Sequence, residues 1–434
     1  MRTMSPAEYV RHVREREAES EGDALSSVRR IIEDVRANGD EALCRYSRSL
    51  DGVDLAPRDI EVTADEFEAA YRAVDGTTLE AIRTAIRSVE AYHTYAAGPA
   101  VRSLRAWFDG EVIDGTLMGR VSKPVRRAGL YVPGGRNPYV STVVMTAVPA
   151  RVAGVEEIIA CTPPDKDGRV DPHILVAARE AGVHRLFRIG GAQAVAAMAW
   201  GTHSVPKADV VAGPGNRYVA LAKRLVYGVV GIDSPAGPSE VAVIADDSAD
   251  PGLISADMLA QVEHGPDSIA VLFSTSGRLM GEVSARLKQK EPRREAQMLS
   301  VLCRDLEEAV ALANETAPEH LQIVVDEPLR AVAGVRCAGA ILVGYYSPAA
   351  VGDYVAGPSH VLPTGGAARF ASGLSVETFM TTSSLIWMGP NRYKKAADAA
   401  VTLAMVEGMP CHAESLMYRL QVGGSVGGER EAKG

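Results

Sequence analysis

Beginning at Gly129, short apolar runs take turns with stretches of helical period, and this rhythm restricts the chain to parallel sheets covered by helices. Runs at 130–132, 158–161, 186–189 and 210–212 predict strands, with helices near 138–148, 172–181, 192–200 and 216–227 between them. A helix-length crossover returns the chain to the same edge of the sheet, so successive strands pair in parallel and are buried on both faces. A second series follows the Pro/Gly-rich break at Ser234-Pro235-Ala236-Gly237-Pro238, with strands near 241–245, 269–273, 299–303, 321–325 and 340–344. The fold class is therefore α/β: two Rossmann-like, incompletely doubly wound parallel-sheet domains, with helical segments at both ends.

The first hundred residues read as helical. Ser5-Pro6-Ala7-Glu8 is a capping box with proline at the first helical position, and 24–37 carries an apolar stripe ended near Gly39. Charged, amphipathic stretches follow near 64–76 and 78–96, and 393–405 is another near the end. The expected partition is an N-terminal helical arm over 1–20, an α/β domain built from 21–128 and 237–375, a second over 129–236, and a helical segment over 376–434.

Composition sets bounds on function. At 434 residues, with 47% hydrophobic and 23% charged residues, the chain can bury a core in each of two or three domains. Lys plus Arg is 46 against Asp plus Glu at 55, a net charge of −9, so no general basic field draws a nucleic-acid backbone. The five cysteines (Cys44, Cys161, Cys303, Cys337, Cys411) form no C-x-x-C pair, which suits reduced thiols in a cytosol. The opening stretch is charged throughout and no long apolar run occurs, so neither a signal peptide nor a membrane span is expected. A cytoplasmic protein is the reading.

Three glycine-rich turns each follow a predicted strand and precede a helix: Tyr131-Val132-Pro133-Gly134-Gly135-Arg136, Gly190-Gly191-Ala192-Gln193 and Gly213-Pro214-Gly215-Asn216. Such turns let a ligand approach backbone and helix N-termini, so together they suit a dinucleotide or another phosphorylated ligand. No G-x-G-x-x-G is present, and each turn alone also fits ordinary turn chemistry.

Four histidines stand beside acids or amides. In Gln261-Val262-Glu263-His264 the amide and imidazole are three apart on one helix face, positions that suit a helix C-terminus first and a shared ligand second. Ala317-Pro318-Glu319-His320 sets an acid beside a base at a helix-to-strand junction, either a solvated turn or a general acid/base couple. Asp353 and His360 share a loop rich in Gly and Pro, and Glu407 and His412 flank a helix start. Gln261, His264, Asp353 and His412 offer oxygen and nitrogen donors suited to Zn²⁺, although spacing does not show them converging.

These strings resemble the histidinol dehydrogenase family, from about residue 31 to 419. The resemblance rests on GLYVPGG at 129–135, AGPGNR at 212–217, AGPSE at 236–240, QVEH at 261–264, APEHL at 317–321, GDY at 352–354, GPSHVLPT at 357–364 and EGMPCHA at 407–413. It implies a zinc-dependent, NAD-linked oxidation of a polar alcohol through the aldehyde to the acid, L-histidinol to L-histidine. By that likeness Gln261, His264, Asp353 and, from the second subunit of a homodimer, His412 hold zinc and help bind substrate. Glu319 and His320 occupy the acid/base positions; Ser239, His360 and Glu407 match substrate contacts; Tyr131, Gln193 and Asn216 match NAD contacts.

Departures from the family pattern touch the surroundings of the site. The connection through Lys288 to Arg294 looks short, Gly265 stands where aspartate is usual, Gln322 where Glu is common, and Ser359 where Asn is frequent. They set a second expectation beside the first, a paralogue acting on another polar alcohol such as a sulfonated propanediol. Neither reading involves nucleic acid or a membrane.

Overall fold

The structure, a computed structural model, describes residues 1–17, 22–97, 107–113, 116–134, 137–234, 239–290 and 297–426. Gly135 and Arg136 of the first glycine turn, 235–238 of the break between the two series, and 291–294 of the short connection lie outside the described residues. The chain divides into two compact units, Met1–Pro99 with Pro124–Phe379, and Ala100–Lys123 with Met380–Gly434.

The first unit opens with strand β1 (Arg2–Met4) and helices α1 (Pro6–Glu17), α2 (Gly22–Tyr46), α3 (Ala64–Ala73) and α4 (Gly76–Ala96). The antiparallel pair β2 (Trp107–Ile113) and β3 (Thr116–Pro124) leads back to it from the second unit. Next come β4 (Arg127–Tyr131), α5 (Val140–Ala153), β5 (Glu157–Cys161), α6 (Pro172–Ala181), β6 (Arg185–Phe187), α7 (Gly191–Trp200), β7 (Val210–Ala212), α8 (Arg217–Val226) and β8 (Gly231–Ile232). The second series runs β9 (Glu240–Ala245), α9 (Pro251–Val262), β10 (Ile269–Ser274), α10 (Gly277–Gln289), β11 (Gln297–Leu302), α11 (Leu306–Thr316), β12 (His320–Val324), α12 (Pro328–Gly334), β13 (Ala340–Val343) and α13 (Ala349–Tyr354). In the second unit β14 (Met380–Met388) joins β3, and α14 (Pro390–Val406) and α15 (Pro410–Val426) follow.

Both large sheets are parallel, as the alternation predicts. The first has the order β6-β5-β4-β7-β8; the second has β11-β10-β9-β12-β13 with β1 beyond β11. Each central five-strand set is wound third-second-first-fourth-fifth, so strand order reverses between β4 and β7 and again between β9 and β12. Strand β9 shows why its run is uniformly apolar: Val241 and Val243 enter one buried cluster with α9 and α10, while Ala242 and Ile244 enter another with α1 and α11.

The N-terminal region is less purely helical than its sequence predicts. Three residues of β1 pair in parallel with β11, Arg2 opposite Leu299, an edge strand too short to show a period. Ser5 and Glu8 do form the capping box, the Ser5 N–H donating to Glu8 Oε2 at 2.8 Å. The helix stops at Gly39, as expected, and a second helical segment runs on from there to Tyr46. Gly39 takes φ 51 and ψ −129 and breaks the helical path, and the chain resumes because Ala42 and Leu43 bury beyond it.

A buried ion pair fixes the turn after β7. Lys223 on α8 pairs with Asp233, both side chains only 1% exposed. Asp233 Oδ2 accepts from the Gly213 N–H at 2.8 Å, and Lys223 Nζ donates to the Gly213 carbonyl at 2.9 Å. Gly213 has φ +120, and a Cβ there would overlap the main-chain oxygen of Tyr131, so only glycine fits.

Two outcomes follow from these buried charges. Lys223→Met strands Asp233 and should lower unfolding stability by about 3–5 kcal/mol in urea titration, with Lys223→Met/Asp233→Leu recovering most of it; a loss below about 1 kcal/mol in the single variant contradicts the clamp. Asp51, beside Tyr131 in charge terms, is pushed up to about 6 by burial, and its Oδ2 is buried without a hydrogen-bond partner. Its unfolded value is about 3.9, so its contribution to stability is full below about pH 4 and is lost as pH rises through 6. Asp51→Asn should therefore raise the melting temperature at pH 8 and leave it nearly unchanged at pH 4; equal shifts at both pH values would contradict this.

Candidate active site

The carboxylate and imidazole of Glu319 and His320 stand where β12 enters the second sheet. Helix α11 ends on Ala317 in the left-handed region, φ 44, which turns the chain sharply into Pro318. The Gly339 N–H donates to the Pro318 carbonyl and the Ala340 N–H to the Glu319 carbonyl, each at 2.9 Å. A Cβ on Gly339 would sit 2.6 Å from the Glu319 oxygen, so this close approach needs glycine.

Glu319 Oε2 accepts from the Glu240 N–H at 2.8 Å, which ties the carboxyl to the first residue of β9. Burial pushes it well above the usual carboxylate range, with the charges of Glu240 and Asp353 acting in the same direction. His320 lies on the α9 face of the sheet. Its Nδ1 is 3.8 Å from Glu319 Oε2 and lacks a hydrogen-bond partner, and its Nε2 is 3.9 Å from Asp353 Oδ1. Burial lowers its proton affinity, which favours the neutral ring that a base requires.

Asp353, on α13, faces two imidazoles. His360 Nδ1 donates to the Asp353 carbonyl at 3.0 Å and is 3.8 Å from Oδ1. The acceptor nitrogen of His360 is then Nε2, which faces Thr142 Oγ1 at 3.5 Å. Ser359 Oγ donates to the Met145 carbonyl at 3.0 Å, so the loop carrying His360 is fastened to α5 at two points. Thr142 is a residue that sequence reading passes over, because nothing in an almost wholly apolar helix marks one threonine as facing a histidine.

Gln261 occupies the last turn of α9, which packs against α13. It is buried, and its amide Nε2 has no partner. His264 follows on the surface, close enough for its charge to bear on both His320 and His360. Ser239, half-buried, precedes β9, and its carbonyl accepts from the Ile269 N–H at 3.1 Å. Among the described residues no three His, Cys, Asp or Glu side chains cluster at metal-binding distance. His264, Asp353 and the Gln261 amide of the first unit are a mixed nitrogen and oxygen set of the kind that suits a zinc-like ion. Gln261 could serve such an ion only through its amide oxygen, since the unpartnered nitrogen has no free lone pair. Glu407 and His412 belong to the second unit, both exposed, Glu407 capping α14 and His412 in the first turn of α15.

At the carboxyl edge of the first sheet the described parts of the glycine turns meet. Tyr131 closes β4, and its hydroxyl accepts from the Gly191 N–H at 3.1 Å; burial pushes it up to about 12. Gly213 rests against the Tyr131 carbonyl, while Gly134 and Gly190 both stand against Pro163 with no room for a Cβ. Gln193 is buried with Oε1 unpartnered. Asn216 caps α8, its Oδ1 accepting from the Tyr218 and Val219 N–H groups at 3.0 and 3.1 Å. These glycine cradles and two helix N-termini lie at a strand-order reversal, a surface that fits a dinucleotide.

The family profile described as histidinol dehydrogenase matches residues 14–420. A histidinol dehydrogenase of Synechococcus sp. is 46% identical over 433 residues, covering 95% of this chain and 98% of its own. One from Moorella thermoacetica is 48% identical over 402 residues, covering 90% and 93%. The crystal structure of histidinol dehydrogenase from Elizabethkingia anophelis superposes with a TM-score of 0.89 at 31% identity, covering 98% of this chain and 99% of that one. With a profile match across nearly the whole length, relatives of that identity and a shared fold, the chain belongs to the histidinol dehydrogenase family and is an oxidoreductase of that type.

Proposed function

We propose that this enzyme oxidises L-histidinol through the aldehyde to L-histidine, using two NAD⁺ and zinc. The carrying observation is the buried Glu319–His320 pair with Asp353 against the imidazole. Gln261, His264 and Asp353 would hold zinc, with His412 of the partner subunit as fourth donor in a homodimer; Tyr131, Gln193 and Asn216 would contact NAD⁺, within the layer over 129–236. Bound zinc would polarise the substrate oxygen without changing oxidation state, and NAD⁺ would take up each hydride.

The side chains then divide the work. His320 Nε2, on the Asp353 side, takes the hydroxyl proton as the alcohol loses its hydride. Glu319, in its carboxylate form, takes a proton from water as it adds to the aldehyde; burial disfavours that form and for the same reason makes it a stronger base than a solvated one. His320, having passed its first proton to solvent, accepts a second as the hydrate becomes the acid. In total one alcohol, one water and two NAD⁺ give one carboxylate, two NADH and three protons. Ser239, His360 and Glu407 would hold the substrate's polar end, and Thr142 fixes His360.

Exposed apolar side chains on the second unit, among them Ile386, Trp387 and Val406, support a face that a second copy covers. No helix among the described residues is long and apolar enough to cross a membrane, and the five cysteines are unpaired, which supports a cytosolic site of action. Other polar alcohols such as sulfonated propanediols are not favoured, because relatives matching 90% or more of the chain carry the histidinol name.

With L-histidinol, NADH should form at two per alcohol consumed and cease on removal of zinc by a chelator; undiminished turnover after complete metal removal would overturn the zinc assignment. Glu319→Gln should lose the aldehyde step by about 10²–10⁴ while sparing the alcohol step, and His320→Asn should lose both. Rapid-quench measurement of aldehyde and acid separates these, and equal loss of both steps in Glu319→Gln would refute the division.

A further inference from the structure

Between α9 and β12 a polar pair lies among buried apolar side chains. Val241, Val243, Ala245 and Val324 of the second sheet pack with Ile254, Met258 and Val262 of α9. Gln322 is wholly buried, and its Nε2 donates to Asp257 Oδ2 at 2.6 Å. Burial raises the Asp257 carboxyl, with the Gln322 bond opposing it, so the position is electrostatically unfavourable for an acid. Two hydrophobic residues of similar volume would hold helix to sheet at least as firmly. What such a polar pair adds is a defined register, since a slide along the layer breaks the bond and leaves buried polar atoms unsatisfied.

That register bears directly on the active site. Helix α9 returns from the end of β9 to the start of β10, so it runs opposite to β12, and moving forward along α9 or backward along β12 leads to the same edge. Gln261 lies four residues beyond Asp257, about 6 Å along the helix. His320 lies two residues before Gln322 on the same strand face, about 6.6 Å along the strand. The Asp257–Gln322 bond is thus one rung behind Gln261 and His320 and sets them level.

We infer that Asp257 and Gln322 are positioning residues that hold the Gln261 donor level with the His320 base, so that breaking the rung loosens metal binding in a protein that still folds. This inference rests on the zinc reading above. The test measures zinc dissociation constants of the full-length protein by competition with a chromogenic chelator, alongside melting temperatures of the zinc-free forms. Asp257→Leu/Gln322→Leu should melt at or above the wild-type temperature yet bind zinc about 10–100-fold more weakly, the range seen when partners of metal ligands are removed. Asp257→Asn, whose carbonyl still accepts from Gln322, should bind zinc within about threefold of wild type, an expectation from the retained hydrogen bond.

A stably folded double variant with wild-type zinc affinity overturns the rung and leaves the zinc reading intact. Wild-type protein that binds no zinc overturns that reading and the rung with it. Should the double variant not fold, Asp257→Ser, too short to reach the amide, replaces it: weakened zinc binding supports the rung, and unchanged binding overturns it.

Discussion

Parallel pairing of β12 with β9 is the contact through which the rest of the site is placed. It sets His320 opposite Val241 and brings the Glu240 amide against Glu319. Because both strands are buried on each face, their register cannot slip by one residue without turning a whole apolar row toward the wrong layer. The Glu319–His320 pair, proposed as catalytic, therefore inherits its position from the hydrophobic order of a sheet. Its burial then does the chemistry's groundwork, holding His320 neutral and Glu319 a stronger base.

The two parallel sheets share a winding but use opposite edges. In the first, Tyr131, Gly191 and Gly213 meet beyond the strand ends, where an open α/β sheet ordinarily receives ligands. In the second, Glu319, His320 and the end of α9 gather where strands begin. Helix α5 joins the two: it follows the turn after β4, and its first turns touch His360 and Ser359. On the proposed reading, a cofactor over one sheet and a substrate beside the other would have a common neighbour.

Much of this was legible before any coordinates. The uniform apolar runs of β9 and β10 could only be strands buried on both faces, and the series around them follows. Strand β1 was not legible, since three residues carry no period, and neither was the second helical segment beyond the Gly39 break, whose signal is the burial of Ala42 and Leu43. Glu319 and His320 could be suspected as neighbours in sequence. The meeting of His320 with Asp353 and of His360 with Thr142 could not, because those contacts cross between elements far apart in the chain. Family motifs supplied the grouping that spacing alone withheld.

The clamp on Gly213 has a thermodynamic consequence for whatever binds there. Its N–H and carbonyl are both engaged by the Asp233–Lys223 pair, and its backbone is pressed against Tyr131. The turn is thus preorganised: the conformational entropy of shaping it is surrendered when the protein folds, and an arriving ligand need not order that stretch of chain again.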